Sequence, residues 1–370
     1  MPRPSIVPQQ LAQLPWRMLF TVGAIATFGC VVLYSAAGGE LFPWAGLQGA
    51  RFAVFTVLAI VLSRLGEPTW RLIALPLYIV ILVLLFGVEL LGAVRGGSQR
   101  WLDLGVIRLQ PSELMKPGIV LACAWFYDRL PASQLNGWGA IWPAGVLIGL
   151  PAALVMLQPD LGTALMIVAG GMSVMFLAGL PLRLFVGGAL ALAAALPVVY
   201  ATLHDYQRNR VLIFLDPESD PLGTGYHITQ SKIAIGSGGL TGKGFLNGTQ
   251  SHLDYLPEGH TDFVFATMAE EWGLLGGGLL ILGFVMLVRW GVRVGIRAET
   301  RFARLVAAGL SMTVFFYFAI NLSMVMGLAP VVGIPLPLVS YGGSAMMTVM
   351  ICLGIMMSID RSSRRRTGFG

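Results

Sequence analysis

Apolar residues gather in ten runs, each followed by a short polar stretch. The runs centre on Met18–Ala36, Gly46–Leu65, Leu72–Leu91, Leu114–Tyr127, Trp138–Leu157, Leu161–Leu180, Leu184–Leu203, Trp272–Trp290, Phe302–Leu328 and Pro337–Met357. A helix needs about 20 apolar residues to cross hydrocarbon, so the pattern predicts about ten transmembrane helices. The fourth run is short and carries Lys116, which predicts a start inside a protein-lined cavity rather than in lipid. Two connections are much longer than the rest, 92–112 and 204–262; the second holds all four histidines and apolar residues throughout, which favours an ordered, functional loop.

Composition agrees. Of 370 residues 56% are hydrophobic and 11% charged, with mean hydropathy +0.77, against about a quarter charged in soluble domains. Three cysteines, each inside an apolar run, argue for core residues rather than disulfides. The net charge of +6 raises the question of nucleic acid, but the basic residues sit at the ends of apolar runs and are read as topology. Placing Arg17, Arg64, Arg71, Arg129, Arg183, Arg289, Arg293, Arg297, Arg301, Arg304 and Arg361–Arg366 inside puts both termini in the cytoplasm and requires an even number of spans. The expected fold is therefore an all-α polytopic integral membrane protein: one domain over 1–370, a large extracytoplasmic loop at 204–262 and a basic cytoplasmic tail at 359–370. Ser35-Ala36-Ala37 resembles a signal-peptidase site, but the preceding run is too long for a signal peptide and is read as an uncleaved span. The tail is read as an anchor to anionic lipid.

Ionisable groups at membrane depth are expensive and mark candidate sites. Glu113 and Lys116, three residues apart, can satisfy each other on one helix face, either as a structural ion pair or as a pair lining a polar cavity. Glu270 and Glu271 are adjacent, so at most one can face a shared cavity. If the chain is helical from Asp262 to the eighth run, Asp262 lies about 12 Å further out, near the outer membrane surface. Arg100 and Trp101 offer a cationic and aromatic surface suited to sugar stacking or to a membrane belt. GSGGLTGKG at Gly236–Gly244 lacks the phosphate-loop spacing, which excludes a nucleotide site. Its main-chain donors remain candidates for an anion nest assisted by Lys243, with a plain turn as the alternative. No cluster has zinc spacing, and His252 and His260 are too loosely placed to define a metal site.

Several longer motifs resemble the SEDS family (shape, elongation, division and sporulation), and its RodA-like elongation branch closely. They are GSQRWLDLG at Gly97–Gly105, LQPSELMK at Leu109–Lys116, QPDLGTA at Gln158–Ala164, FLDPESDPLGTGYHITQSKIAIGSGGLTGKG at Phe214–Gly244, LPEGHTDFVFATMAEEWG at Leu256–Gly273 and GIPLPLVSYGGSA at Gly333–Ala345. The resemblance implies a peptidoglycan glycosyltransferase that polymerises lipid II on the periplasmic face of the bacterial inner membrane during elongation. It implies that Asp262, in the His-Thr-Asp triplet, is the essential aspartate and general base, and that Trp101, Gln110, Glu113 and Lys116 belong to the cavity. An α-linked donor and a β-linked product require one inversion. One base on the acceptor hydroxyl then suffices, and the polyprenyl pyrophosphate leaving group asks for cations. Lys116, Arg100, Arg208, Arg210, Lys243 or a divalent cation such as Mg or Mn are candidates for that charge. The expected partners are a class B penicillin-binding protein as crosslinking transpeptidase, the lipid II and polyprenyl-linked glycan substrates, and other elongation-complex membrane proteins. The chain itself carries no transpeptidase motif set. A lipid II flippase and a non-catalytic scaffold are the alternatives.

Overall fold

The computed structural model describes the chain except residues 1–13, 92, 96–97, 104–107, 136, 203–207, 209–211, 214–215, 217–223, 254, 257 and 367–370. Ten long helices follow the ten apolar runs: α1 (Trp16–Ala36), α2 (Ala45–Leu62), α3 (Glu67–Leu91), α4 (Pro111–Arg129), α5 (Trp138–Leu157), α6 (Leu161–Leu177), α7 (Leu182–Thr202), α10 (Val264–Arg297), α11 (Arg301–Val325) and α12 (Gly343–Arg366). The short α8 (Thr224–Ser237) and α9 (Thr249–His252) lie between α7 and α10. Seven of the ten are long and apolar enough to cross a membrane on their own. Large apolar side chains such as Phe20, Leu72, Leu190 and Leu279 are exposed, as lipid-facing positions must be.

The central helix is α4, which packs against α3, α5, α6, α11 and α12. Its mean hydropathy is low for a span because it faces protein on nearly every side: Met115, Ile119, Val120, Leu121, Ala122, Cys123 and Ala124 are fully buried. This places the charged fourth run in protein rather than in lipid. Two of the three cysteines, Cys123 and Cys352, are buried and all three are free.

The all-α expectation holds, and the 92–112 connection adds a small antiparallel sheet of β1 (Ala93–Arg95), β2 (Ser98–Asp103) and β3 (Arg108–Leu109) in that order. Two helix boundaries are corrected. The tenth helix starts at Gly343, not Pro337, and continues to Arg366. Residues 333–342 instead form a non-helical segment whose middle, 336–340, is buried inside the bundle, with Ile334, Leu336, Leu338 and Val339 at 2% exposure or less. Irregular backbone at that depth must find partners in protein. It does: Asn321 donates to the Ile334 carbonyl, Gln48 to the Ser340 carbonyl, and the Leu336 N–H to Ser340 Oγ. Glycine makes room for it, since a Cβ on Gly29 would lie 2.6 Å from Val339 Cα and one on Gly162 2.6 Å from the Val332 carbonyl oxygen. The second correction is at the eighth run, where helix begins at Val264 rather than Trp272 and is broken at Gly273 (φ 62°, ψ −160°).

The basic helix ends collect at one end of the bundle. There Arg71 pairs with Asp128 at 2.8 Å, Arg301 donates to the Leu130 and Ala178 carbonyls, and Arg361 donates to the Ser63 carbonyl. Asp262 lies at the opposite end, where α10 begins. The described part of the basic tail, 359–366, forms the last two turns of α12, with Arg364 paired to Asp360 at 2.6 Å.

Candidate active site

Asp262 is held two residues before α10. Asn321 Nδ2 on α11 donates to the Asp262 main-chain carbonyl at 2.9 Å and to the Ile334 carbonyl at 2.7 Å, clamping the turn to the buried 333–342 segment. A Cβ on Gly333 (φ +69°) would lie 3.5 Å from Asp262 Oδ2, so this glycine keeps the carboxylate's side open. Burial is the main reason the Asp262 carboxyl titrates high, at about 6; the nearby Glu258 charge adds to the shift. Burial likewise lowers the pKa of His260, whose ring stacks on Trp44 at 4.1 Å with an interplanar angle of 6°.

His260 also accepts, through its main-chain carbonyl, from the Tyr341 N–H at 2.8 Å. Above the Tyr341 ring lies Arg51, with its guanidinium carbon 4.6 Å from the centroid and Nη2 3.3 Å from the hydroxyl. The mouth around Asp262 is thus built from α2, the α10 entry turn and the start of α12.

Glu113 and Lys116 meet as their spacing predicts, with Lys116 Nζ 2.6 Å from Glu113 Oε1 and both residues under 5% exposed. The pair is closed rather than open. Lys116 also donates to Tyr317 Oη at 2.9 Å; Tyr317 donates to Glu113 Oε2, and Thr348 donates to the same oxygen at 3.1 Å. Tyr317 and Asn321 are one turn apart on α11, about 6 Å along its axis. The charge cluster therefore buttresses the helix face that clamps Asp262. Gln110 is buried at the N-cap position of α4, next to this cluster in sequence.

The other cations have structural partners. Arg100 donates to the Gln158 carbonyl at 3.0 Å and to that of Pro159, and lies 3.7 Å from Asp160, fastening the sheet to the turn before α6. Trp101 follows it on β2 and is half-buried. Arg208 donates to the Tyr200 and Ala201 carbonyls. Arg210 lies outside the described residues. Lys243 is bound to Glu270 at 2.7 Å and to Thr249 Oγ1 at 2.7 Å.

This overturns the anion nest read from Gly236–Gly244. The Lys243 and Gly244 N–H groups donate to the Glu270 and Glu271 carbonyls, and Gly239 and Leu240 accept from Leu274 and Leu275. The glycine loop is packed into the break at Gly273, and the Lys243 and Gly244 donors are taken by α10 carbonyls rather than left for a phosphate. Gly242 is required there, since a Cβ would come within 2.0 Å of the Glu271 carbonyl oxygen. Glu270 and Glu271 point apart, as adjacent residues must: Glu270 faces Lys243 and Thr249, Glu271 the Ser35 hydroxyl. Ser35, in the stretch that resembles a cleavage site, is a buried packing residue of α1. No group of three His, Cys, Asp or Glu side chains able to hold a metal ion occurs among the described residues.

An apolar groove of about 600 Å³ runs between α1 and α10, lined by Phe28, Trp272, Leu279 and Met286 among others; it carries no ionisable side chain and is separate from the Asp262 mouth.

Residues 13–365 match the FtsW/RodA/SpoVE family, described as cell cycle proteins. The peptidoglycan glycosyltransferase MrdB of Escherichia coli K12 is 46% identical over 345 residues, 92% of each chain. A chain in a structure described as structural coordination of polymerization and crosslinking by a peptidoglycan synthase complex superposes with TM-score 0.82 at 33% identity, covering 95% of this chain and 98% of that one. The rod shape determining protein RodA of Thermus thermophilus gives TM-score 0.72 at 29% identity over 96% and 98% of the two chains.

Proposed function

From the premise that this chain belongs to the FtsW/RodA/SpoVE family, we propose that Asp262 is the general base of a peptidoglycan glycosyltransferase acting on lipid II. The observation that carries the assignment is the half-buried Asp262 carboxyl, clamped through Asn321 and titrating at about 6, at the end of the bundle opposite the basic helix ends. A base is most effective with a pKa near the operating pH, and one that is partly desolvated is a stronger base than a free aspartate.

Asp262 takes the proton of the acceptor sugar hydroxyl as its oxygen attacks the donor anomeric carbon. The bond from that carbon to the polyprenyl pyrophosphate breaks, and the configuration inverts. Arg100, Lys116, Lys243 and Arg208 are each engaged by structural partners, and a divalent ion, where one is bound, would supply positive charge at the leaving pyrophosphate. The positive-inside bias favours basic ends in the cytoplasm, which supports a periplasmic position for the Asp262 mouth. The chain is a multi-pass membrane protein, and its likeness to a subunit of a peptidoglycan synthase complex supports work beside a crosslinking penicillin-binding protein.

The test is purified protein in liposomes with fluorescent lipid II. The glycosyltransferase gives a ladder of polymer; transbilayer movement of lipid II without polymer would make the chain a flippase, and neither product would leave a scaffold.

A further inference from the structure

We infer that Arg51 is the side chain that binds the pyrophosphate of the lipid-linked donor. The inference rests on the reading of Asp262 above and adds a residue to it. Arg51 lies at the Asp262 end of α2, and its guanidinium is laid on the Tyr341 ring, 4.6 Å from the centroid. Tyr341 is bonded through its N–H to the His260 carbonyl, and His260 precedes Asp262 by two residues, at most about 7.6 Å from Cα to Cα. The cation and the proposed base are thus joined through one wall, made by Tyr341 and the His260–Asp262 turn. A glycosyl pyrophosphate needs this arrangement, because its first phosphate is bonded to the carbon under attack.

Two further features single Arg51 out. Among the described residues no carboxylate is within ion-pair distance of it, whereas Lys116, Lys243 and Arg100 each have one. It also lies beside the first turn of α12, where a Cβ on Gly343 would be 3.6 Å from the guanidinium stem. Unpaired N–H groups there make the helix terminus a second partial positive charge. An anion bound there would meet both the guanidinium and the helix terminus. Gly342 leaves that space open, with nothing within 4 Å of where its Cβ would be. The planar fork of Arg51 suits two phosphate oxygens at once, and Tyr341 fixes its plane.

The experiment measures affinity separately from turnover, in the full chain carrying Asp262→Asn, with undecaprenyl pyrophosphate and undecaprenyl monophosphate as probes. Adding Arg51→Ala or the stem-preserving Arg51→Gln should weaken the pyrophosphate lipid by about 10- to 100-fold and the monophosphate by much less, since one charge-assisted bidentate contact is lost. Should Arg51→Ala fail to fold, Arg51→Gln carries the same expectation, with wild-type thermal unfolding as its control. Unchanged affinity for the pyrophosphate lipid, or equal losses for both lipids, overturns the inference. Retained polymerisation by Asp262→Asn alone would instead overturn the assignment of the base, so the two failures are distinct.

Discussion

Asp262 must be ionised to accept a proton, so its titration at about 6 sets the acid limb of the reaction. kcat/KM should fall about tenfold per pH unit below that value and level off above it. Glu258→Gln removes the smaller cause of the raised pKa and should move the limb to lower pH, while an unmoved limb would assign it to another group. Stability has the opposite sign. A carboxyl whose folded pKa is raised binds its proton more tightly when folded, so its ionisation opposes folding above pH 6, and this penalty fades as pH falls towards its unfolded value near 4. Asp262→Asn should therefore be more stable than wild type at pH 7.5, by on the order of 1–3 kcal/mol, with the gap closing near pH 4, as thermal unfolding in detergent would show. The buried charge cluster gives a second expectation. Glu113→Gln or Lys116→Met alone leaves an unpaired buried charge and should cost about 3–5 kcal/mol, more than the double change. Additive losses in a double-mutant cycle would show that the pair does not interact. Much of this was legible in the sequence, because a carboxylate and an ammonium three residues apart in an apolar run have few alternatives to each other. Tyr317, Asn321 and Arg51 were missed, although each is a polar residue in an otherwise apolar run, the signal that drew attention to Lys116. Their roles depend on which helices meet, which periodicity does not encode.

The elements show why helix ends were less legible than helix centres. Hydropathy cannot tell a lipid-facing helix from an irregular apolar segment buried in protein, so Pro337–Val339 read as the start of a span although Pro335 and Pro337 remove donors and the chain there is a clamp for Asp262. The glycine-rich stretch was misread for a related reason: glycines that admit a phosphate also admit another backbone, and here the backbone is α10. Gly242→Ala would drive a methyl into the Glu271 carbonyl at a positive φ, and should lower the midpoint of thermal unfolding and release the Lys243–Glu270 contact. Gly236→Ala, in the last turn of α8 where a Cβ meets nothing, should instead gain up to about 1 kcal/mol from the higher helix propensity of alanine. Equal effects at the two positions would show that the loop is not docked.

For the whole molecule, α4 is packed among five of the other long helices, its charged end faces Tyr317 and Thr348 rather than lipid, and Asp262 lies at the end of the bundle opposite the basic helix ends. Spans, their number and their alternation could be read from the sequence because hydrocarbon imposes length and apolarity on each helix independently of its neighbours. The role proposed for the Asp262 carboxylate in activating the acceptor sugar is read most directly from the polymer ladder that Asp262→Asn makes from lipid II in liposomes. This variant should insert, unfold no earlier than wild type and polymerise at least about 100-fold more slowly, since general-base catalysis is worth about that much or more. A ladder formed at the wild-type rate by the correctly folded variant would contradict it.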